Sequence, residues 1–275
     1  MSTVPVVRIG EGATSPFRTL REIWNYRDLF SALGVRDLRL RYRQTFLGIA
    51  WVVLQPLAAA GIFAFVFGTI AKVPTDGQPY LLFSLAALTG WNFFSSVLTR
   101  ASASLIQNPQ LVTRVYFPRL ILPIAVVPAA LVDLGVTLVA FLGIAAMQGR
   151  TPALAFLALP LVILLLGLLA LGTGFAAAAL AVRYRDVQYL LPVAIQLALY
   201  ASPIGYSSSA VPLRWQVLYH ANPLAAPLEL MRWSLLGTPA PTVPQLTYSI
   251  SAACISFLAG VWVFRRIERA FADEI

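Results

Sequence analysis

Long apolar stretches recur along this chain, several exceeding the roughly 20 residues a helix needs to cross a bilayer, and they limit the fold more than any other feature. Hydrophobic residues make up 59% and charged residues 11% of the sequence, with a mean hydropathy of +0.78. A water-soluble core cannot absorb that much apolar sequence, because soluble domains carry about 25% charged residues. The expectation is an all-α, polytopic membrane protein with one transmembrane domain.

Punctuation by charge and by proline and glycine places the spans. The first runs from about Ile49 to Ala71 and stops at Lys72, the only lysine. A polar turn returns the chain into a second span, about Tyr80 to Thr99. After a polar connection between Arg100 and Arg119 comes a third, about Leu120 to Met147, and a fourth ends near Val182. A charged turn, Arg183 to Asp186, leads to a fifth span at about Leu190 to Ser202, and the sixth runs from about Leu246 to Phe264. Sixteen of the 20 lysines and arginines fall in the N-terminal region, the second and fourth loops and the C-terminus. Positive residues collect on the cytoplasmic side of membranes, so both termini are expected there.

Four regions follow from this reading: a flexible segment 1–17, a cytoplasmic interfacial or gate region 18–47, the six-helix domain 48–264 and a tail 265–275. In RTLREIWNYRDLFSAL (18–33), Leu20, Ile23, Trp24, Phe30 and Leu33 form an apolar stripe, which predicts a helix lying in the membrane interface, an amphipathic helix packed on a soluble core being the alternative. Arg36, Arg39 and Arg43 then recur at i, i+3 and i+7 on one helical face just before the first span. Residues 203–245 are too apolar for a free loop and too broken by proline and glycine for a span. They are expected to hold re-entrant helices, one of them over about Pro227 to Leu236. A surface loop with some apolar residues is the alternative.

Chemistry-bearing residues are few. One cysteine, Cys254, excludes an internal disulfide framework, and one histidine, His220, leaves no ligand cluster for a metal. No paired carboxylates at short spacing, GxSxG or HExxH stretch is present. A membrane-embedded enzyme is thereby disfavoured, and so is a nucleic-acid partner, since the formal charge of +9 is accounted for by topology. The first residues lack the short apolar stretch of a removable signal peptide. Asp133 is the one acidic residue deep inside a span, where a charge is costly. It is expected to be capped by backbone or a hydroxyl of a neighbouring helix. No Walker A loop precedes the single lysine, so ATP-driven work would need another polypeptide.

Two further groups stand out. In SLIQNPQLVTRVYFPRL, Asn108 is placed to cap, Pro109 suits a first helical position and Pro118 ends the run, predicting a short helix over 109–116. Val112, Val115 and Tyr116 would share its face, flanked by Arg114 and Arg119. A docking element and a plain connector both fit that stretch. Within the spans, Gln55, Asn92, Gln196 and Tyr200 need partners away from lipid, and Phe63, Phe67 and Trp91 add aromatic surface suited to sugar C–H faces or to helix packing.

RDLRLRYRQTFLGIAWVVLQPL (36–57), VYFPRLILP (115–123), VRYRDVQYLLP (182–192), LYASPIGY (199–206) and ANPLAAPLELMR (221–232) together resemble the permease subunits of type-2 ABC exporters for surface polysaccharides, the O-antigen, capsule and teichoic-acid exporters. The resemblance implies a homodimer in the bacterial inner membrane, paired with two nucleotide-binding subunits that hold ATP and Mg, with no cofactor on this chain. It implies a lipid-linked glycan, most readily O-antigen, passing through a channel between the permeases. Arg36, Arg39, Arg41 and Arg43 would meet the polyprenyl pyrophosphate headgroup, unless they serve only to set topology. Asn108, Val112, Arg114, Val115, Tyr116 and Arg119 would form the coupling element, and Gln55, Phe63, Phe67, Trp91, Asn92, Gln196 and Tyr200 the channel lining. A drug or simple-lipid permease of the same type is the runner-up; a membrane-embedded enzyme and a structural scaffold are more remote.

Overall fold

A computed structural model describes residues 26–42, 48, 50–114, 117–150 and 154–268, and every regular element among them is helical. Helix α1, Arg27–Tyr42, joins the end of the amphipathic stretch and most of the arginine run in one rod; residues 18–25 and Arg43 lie outside the described residues. α1 buries Leu33 and brings Gly34 close to Pro128. A Cβ at Gly34 would lie 3.4 Å from that proline ring, so the small residue sets how closely α1 approaches the bundle.

Five stretches are long and apolar enough to cross a membrane: Ala50–Ile70, Tyr80–Ala103, Ile121–Met147, Leu154–Arg183 and Val243–Glu268. The first is helix α2, Ala50–Phe63, which passes into a π-helical segment, Ala64–Ile70, after carrying Pro56 inside its length. The second, α3 (Tyr80–Ala103), is the hub. It packs against α2 and, further along the chain, against α6 (Val127–Met147) and α7 (Leu159–Arg183), and most of its length is buried. Between α3 and α6 lie two short helices, α4 (Pro109–Arg114) and α5 (Ile121–Ile124).

The expected fifth span is α8, Val187–Ala201, and it differs from the others. Its 15 residues reach about 22 Å at 1.5 Å per residue, short of the roughly 30 Å of a hydrocarbon core. None of its residues is buried. Five long helices and one short one thus stand where six spans were expected. Tyr184 in extended conformation ends α7 and Pro192 sits inside α8, so the chain spends its residues on a turn and a kinkable rod rather than on length.

The segment after α8 is built, not looped. Helices α9 (Leu213–His220) and α10 (Ala225–Leu236) follow, and α10 is buried along most of its length against α3 and α7. Gly237 ends α10 in the left-handed region at φ 68°, a C-terminal stop that glycine adopts without a Cβ penalty. Helix α11, Val243–Glu268, then packs along α7 in the most extensive helix pair of the molecule. There the backbones meet: a Cβ at Gly260 would fall 2.0 Å from the Gly172 carbonyl oxygen, so only two glycines permit the crossing.

Candidate functional site

Polar groups gather at three places. At the end of the bundle where α3 begins, Arg232 of α10 is 2% exposed. Its guanidinium donates to the Pro203 carbonyl at 2.8 Å and the Tyr206 carbonyl at 3.1 Å, and its Cζ stands 4.2 Å from the centre of the Phe83 ring. Burial draws its pKa below the usual guanidinium value, while the nearby carboxylate of Glu229 favours the charge. Tyr219 donates to Glu229 at 2.5 Å, and burial first, then the Glu229 charge, push its phenol well above the normal range. It stays a donor.

Other contacts fasten the same segment. Tyr80 donates to the Gly205 carbonyl, Ser207 and Ser209 donate to Asp76, and Asn222 donates to Ser202. Phe63 and Phe67 stack with centroids 5.4 Å apart, and a Cβ at Gly205 would lie 2.9 Å from Phe63. These two aromatics thus hold the segment after α8. Arg232, Glu229 and Tyr219 were not among the expected site residues. The i, i+3 placement of Glu229 and Arg232 in an otherwise apolar helix was the available signal.

At mid-bundle, α2, α3 and α6 line a half-open cavity of about 280 Å³. Gln55, Asn92, Ser96, Thr99, Arg100 and Asp133 are on its wall. Arg100 donates to Asp133 at 2.9 Å. A cation on the neighbouring helix thus partners Asp133. Arg100 was assigned to the connection after the second span, but α3 continues through Ala103 and carries it inside.

Arg100 also lines a second cavity of about 350 Å³, together with Leu33, Arg36, Asp37, Gln107 and Asn108. Arg36 pairs with Asp37 at 3.0 Å, and Arg39 is exposed. The side chain of Arg41 and all of Arg43 lie outside the described residues. Arg36, Asp37, Arg100 and Asp133 thus run from α1 to α6 along the two cavities.

Beside this second cavity stands α4. The Asn108 carbonyl accepts from Leu111 and Val112 to open the helix, but its side chain turns back and donates to the Ser104 carbonyl at 2.8 Å instead of capping forward. Val112 is buried with Leu33, Leu105, Phe117, Ile121, Phe175 and Phe264 in one apolar cluster. Arg119 donates to the Glu268 carbonyl at 2.8 Å, tying the connection to the end of α11. The Arg114 side chain, Val115 and Tyr116 lie outside the described residues.

The remaining candidates separate. Trp91 is in the core against Phe94, at 5.6 Å between centroids. Gln196 and Tyr200 project from α8, exposed.

A family model described as ABC-2 type transporter matches residues 28–236, from α1 to the last residue of α10. An O-antigen export system permease protein RfbA of Myxococcus xanthus is 28% identical over 260 residues, covering 94% of this chain and 99% of that protein. A Klebsiella pneumoniae protein of the same name is 26% identical, with 90% and 94% covered. The polysialic acid transport protein KpsM of Escherichia coli is 25% identical, with 87% and 93% covered.

Proposed function

Since the chain belongs to the ABC-2 type transporter family, we propose that it is the permease subunit of an ATP-driven exporter of lipid-linked surface polysaccharide, O-antigen being the nearest match to its relatives. The observation that carries the reading furthest is α8, a membrane-length-limited helix with no buried residue that displays Gln196, Tyr200, Tyr189 and Leu197 outward. Lipid covers the apolar side chains of such a helix, but the Gln196 amide and the Tyr200 hydroxyl need polar partners there. A second copy of the chain supplies them, and polar and aromatic side chains between two copies make a passage for a hydrated polymer.

The orientation follows the arginine distribution: α1, α4 and both termini on the cytoplasmic side of the inner membrane, the α9–α10 segment re-entering from the outside and closing the far mouth. A separate ATPase subunit, holding ATP and Mg, docks on α4. Its movement reaches the spans through Val112 and the shared apolar cluster, and through Arg119 on the end of α11. Arg36, Arg39, Arg41 and Arg43 meet the anionic carrier headgroup at the membrane surface by charge-assisted hydrogen bonds. Binding of the carrier headgroup and coupling of force then lie at the same, cytoplasmic end of the molecule.

Reconstitution tests this. The chain and its ATPase partner are placed in vesicles with a polyprenyl-pyrophosphate-linked O-polysaccharide, and ATP-dependent appearance of polymer in the opposite compartment is measured. Transport that is lost on neutralising Arg39, Arg41 and Arg43 while insertion and ATPase binding persist is the expected result. Transport of a simple phospholipid or drug but not of the polymer overturns the reading. With Cys254 replaced by serine, Leu197→Cys is expected to cross-link two copies; a chain that stays uncross-linked and monomeric in the complex removes the interface.

A further inference from the structure

Helix α8 is fastened at one end only. None of its residues is buried, and among the described residues none of its side chains makes a hydrogen bond. It rests on the bundle through one apolar stripe, Leu191, Ile195, Ala198 and Leu199, a non-directional contact that tolerates sliding. Its inner end is looser still. Residues 183–186 before it are exposed, Asp186 makes no side-chain cap, and Pro192 leaves the Gln188 carbonyl without its intrahelical donor.

The residues that follow α8 are the opposite. Ser202, Pro203, Ile204 and Gly205 are all buried, Ile204 completely. Arg232 of α10 donates to the carbonyls of Pro203 and Tyr206, and Tyr80 of α3 donates to that of Gly205. Asn222 donates to the Ala201 carbonyl at 3.2 Å and to the Ser202 hydroxyl at 3.0 Å, while Asp76, in the turn before α3, accepts from Ser207 and Ser209. Phe63 of α2 closes against Gly205.

Within this strap Arg232 has a particular part. A neutral donor could release a carbonyl at little cost, but a guanidinium with almost no access to solvent cannot, because leaving either carbonyl leaves part of a desolvated charge unpaired. Its two acceptors lie three residues apart on one strap, and the Phe83 ring covers its face. Moving the strap therefore means moving a buried cation off all three partners together.

We propose that Arg232 is a positioning residue for transport: it locks residues 202–206, and α8 swings about that locked outer end, with its excursion at residues 183–190 on the inner side. The proposal rests on the export reading for what is inner and what is outer, and adds which end of the passage-lining helix moves. Any opening of the outer mouth then falls to α9, of whose residues only Tyr219 is buried.

The test uses the full chain with Cys254 replaced by serine, in nanodiscs with its ATPase partner and one spin-labelled copy per complex. Ala201→Cys with Leu157→Cys reports the outer end of α8 against the bundle, and Tyr189→Cys with Trp262→Cys reports the inner end; all four positions are exposed. On addition of an ATP analogue that the partner does not hydrolyse, the 189–262 distance is expected to shift and the 201–157 distance to stay within its resting distribution. Arg232→Met is expected to broaden the outer distribution and to abolish polymer export while the partner still hydrolyses ATP, and Arg232→Lys to restore part of both. A shift at the outer end as large as at the inner one, no shift at the inner end, or a sharp outer distribution in folded Arg232→Met overturns the proposal. Where Arg232→Met does not insert, Tyr80→Phe, which takes one donor from the same strap, is judged by the same distances. Polymer export with an outer end that moves removes the pivot alone; a fixed outer end in a complex that moves a drug or a simple phospholipid but no polymer removes the polysaccharide reading alone.

Discussion

Arg232 has its charge divided among two carbonyls, an aromatic face and a nearby carboxylate, with almost no access to solvent. Arg232→Ala leaves the Pro203 and Tyr206 carbonyls without their donor, at a cost on the order of 3 kcal/mol. A lowered midpoint in detergent thermal unfolding checks it, and Arg232→Lys, whose compact ammonium lacks the planar fork, is expected to recover only part. The Arg100–Asp133 pair behaves differently. Removing Arg100 alone takes a charged donor at 2.9 Å from the buried Asp133 carboxylate, at a cost of about 3 kcal/mol, and replacing both residues with leucine is expected to cost less than the sum of the two single changes. Measured melting of R100L, D133L and R100L/D133L tests that non-additivity, and a double variant destabilised by the full sum of the single ones refutes it. Asp133 was conspicuous in the sequence because a lone carboxylate in an apolar run is costly. Its partner was not, because a span boundary drawn at the first charged residue put Arg100 outside a helix that runs one turn further. Arg232 escaped notice for a related reason: a charge among broken helices looks like loop chemistry until the fold surrounds it.

Helix positions were legible where apolar length alone decides them, as in Ala50–Ile70 and Val243–Glu268, and where punctuation is dense, as in Asn108, Pro109 and Pro118 around α4. Contacts between helices were not, because a glycine that permits an approach looks like any of the 17 in the chain. Gly172 and Gly260 are the pair that matters, since α7 and α11 touch there backbone to backbone. Gly260→Ala forces those helices apart and costs about 2–3 kcal/mol, whereas Gly143→Ala, with nothing within 4 Å of its new methyl, is expected to be neutral or slightly stabilising. Unfolding of the two variants side by side in the same detergent decides it. Helix α4 makes a second case. Its apolar anchor Val112 was expected to share a face with Val115 and Tyr116, and it is the residue found packed beneath the helix in the described structure. Val112→Asp places a charge in that cluster without a partner. Binding of the ATPase subunit is expected to fall by tenfold or more in a pull-down from membranes while the spans still insert.

At the scale of the molecule, the bundle has a long side and a short side. Helices α3, α6, α7 and α11 form a body in which burial and close backbone contact hold each member, and α8 stands apart with no buried residue. Composition made a membrane protein readable from the sequence, and the short fifth span was readable as drawn from Leu190 to Ser202, whereas the absence of any buried residue on α8 was not, because it depends on which helices the fold packs together. The short span bears on the lipid as much as on the protein. A helix reaching about 22 Å against a hydrocarbon core of roughly 30 Å obliges the surrounding acyl chains to compress, at a fraction of a kcal/mol per ångström of mismatch. Two copies meeting along α8 would share one thinned patch instead of maintaining two. Assembly is therefore favoured by bilayer elasticity in addition to side-chain contact. In vesicles of increasing acyl-chain length the fraction of paired chains, read by energy transfer between labelled copies, is expected to rise at fixed density until the longest lipids exclude the protein. A fraction that does not respond to thickness would place the whole driving force in the side chains.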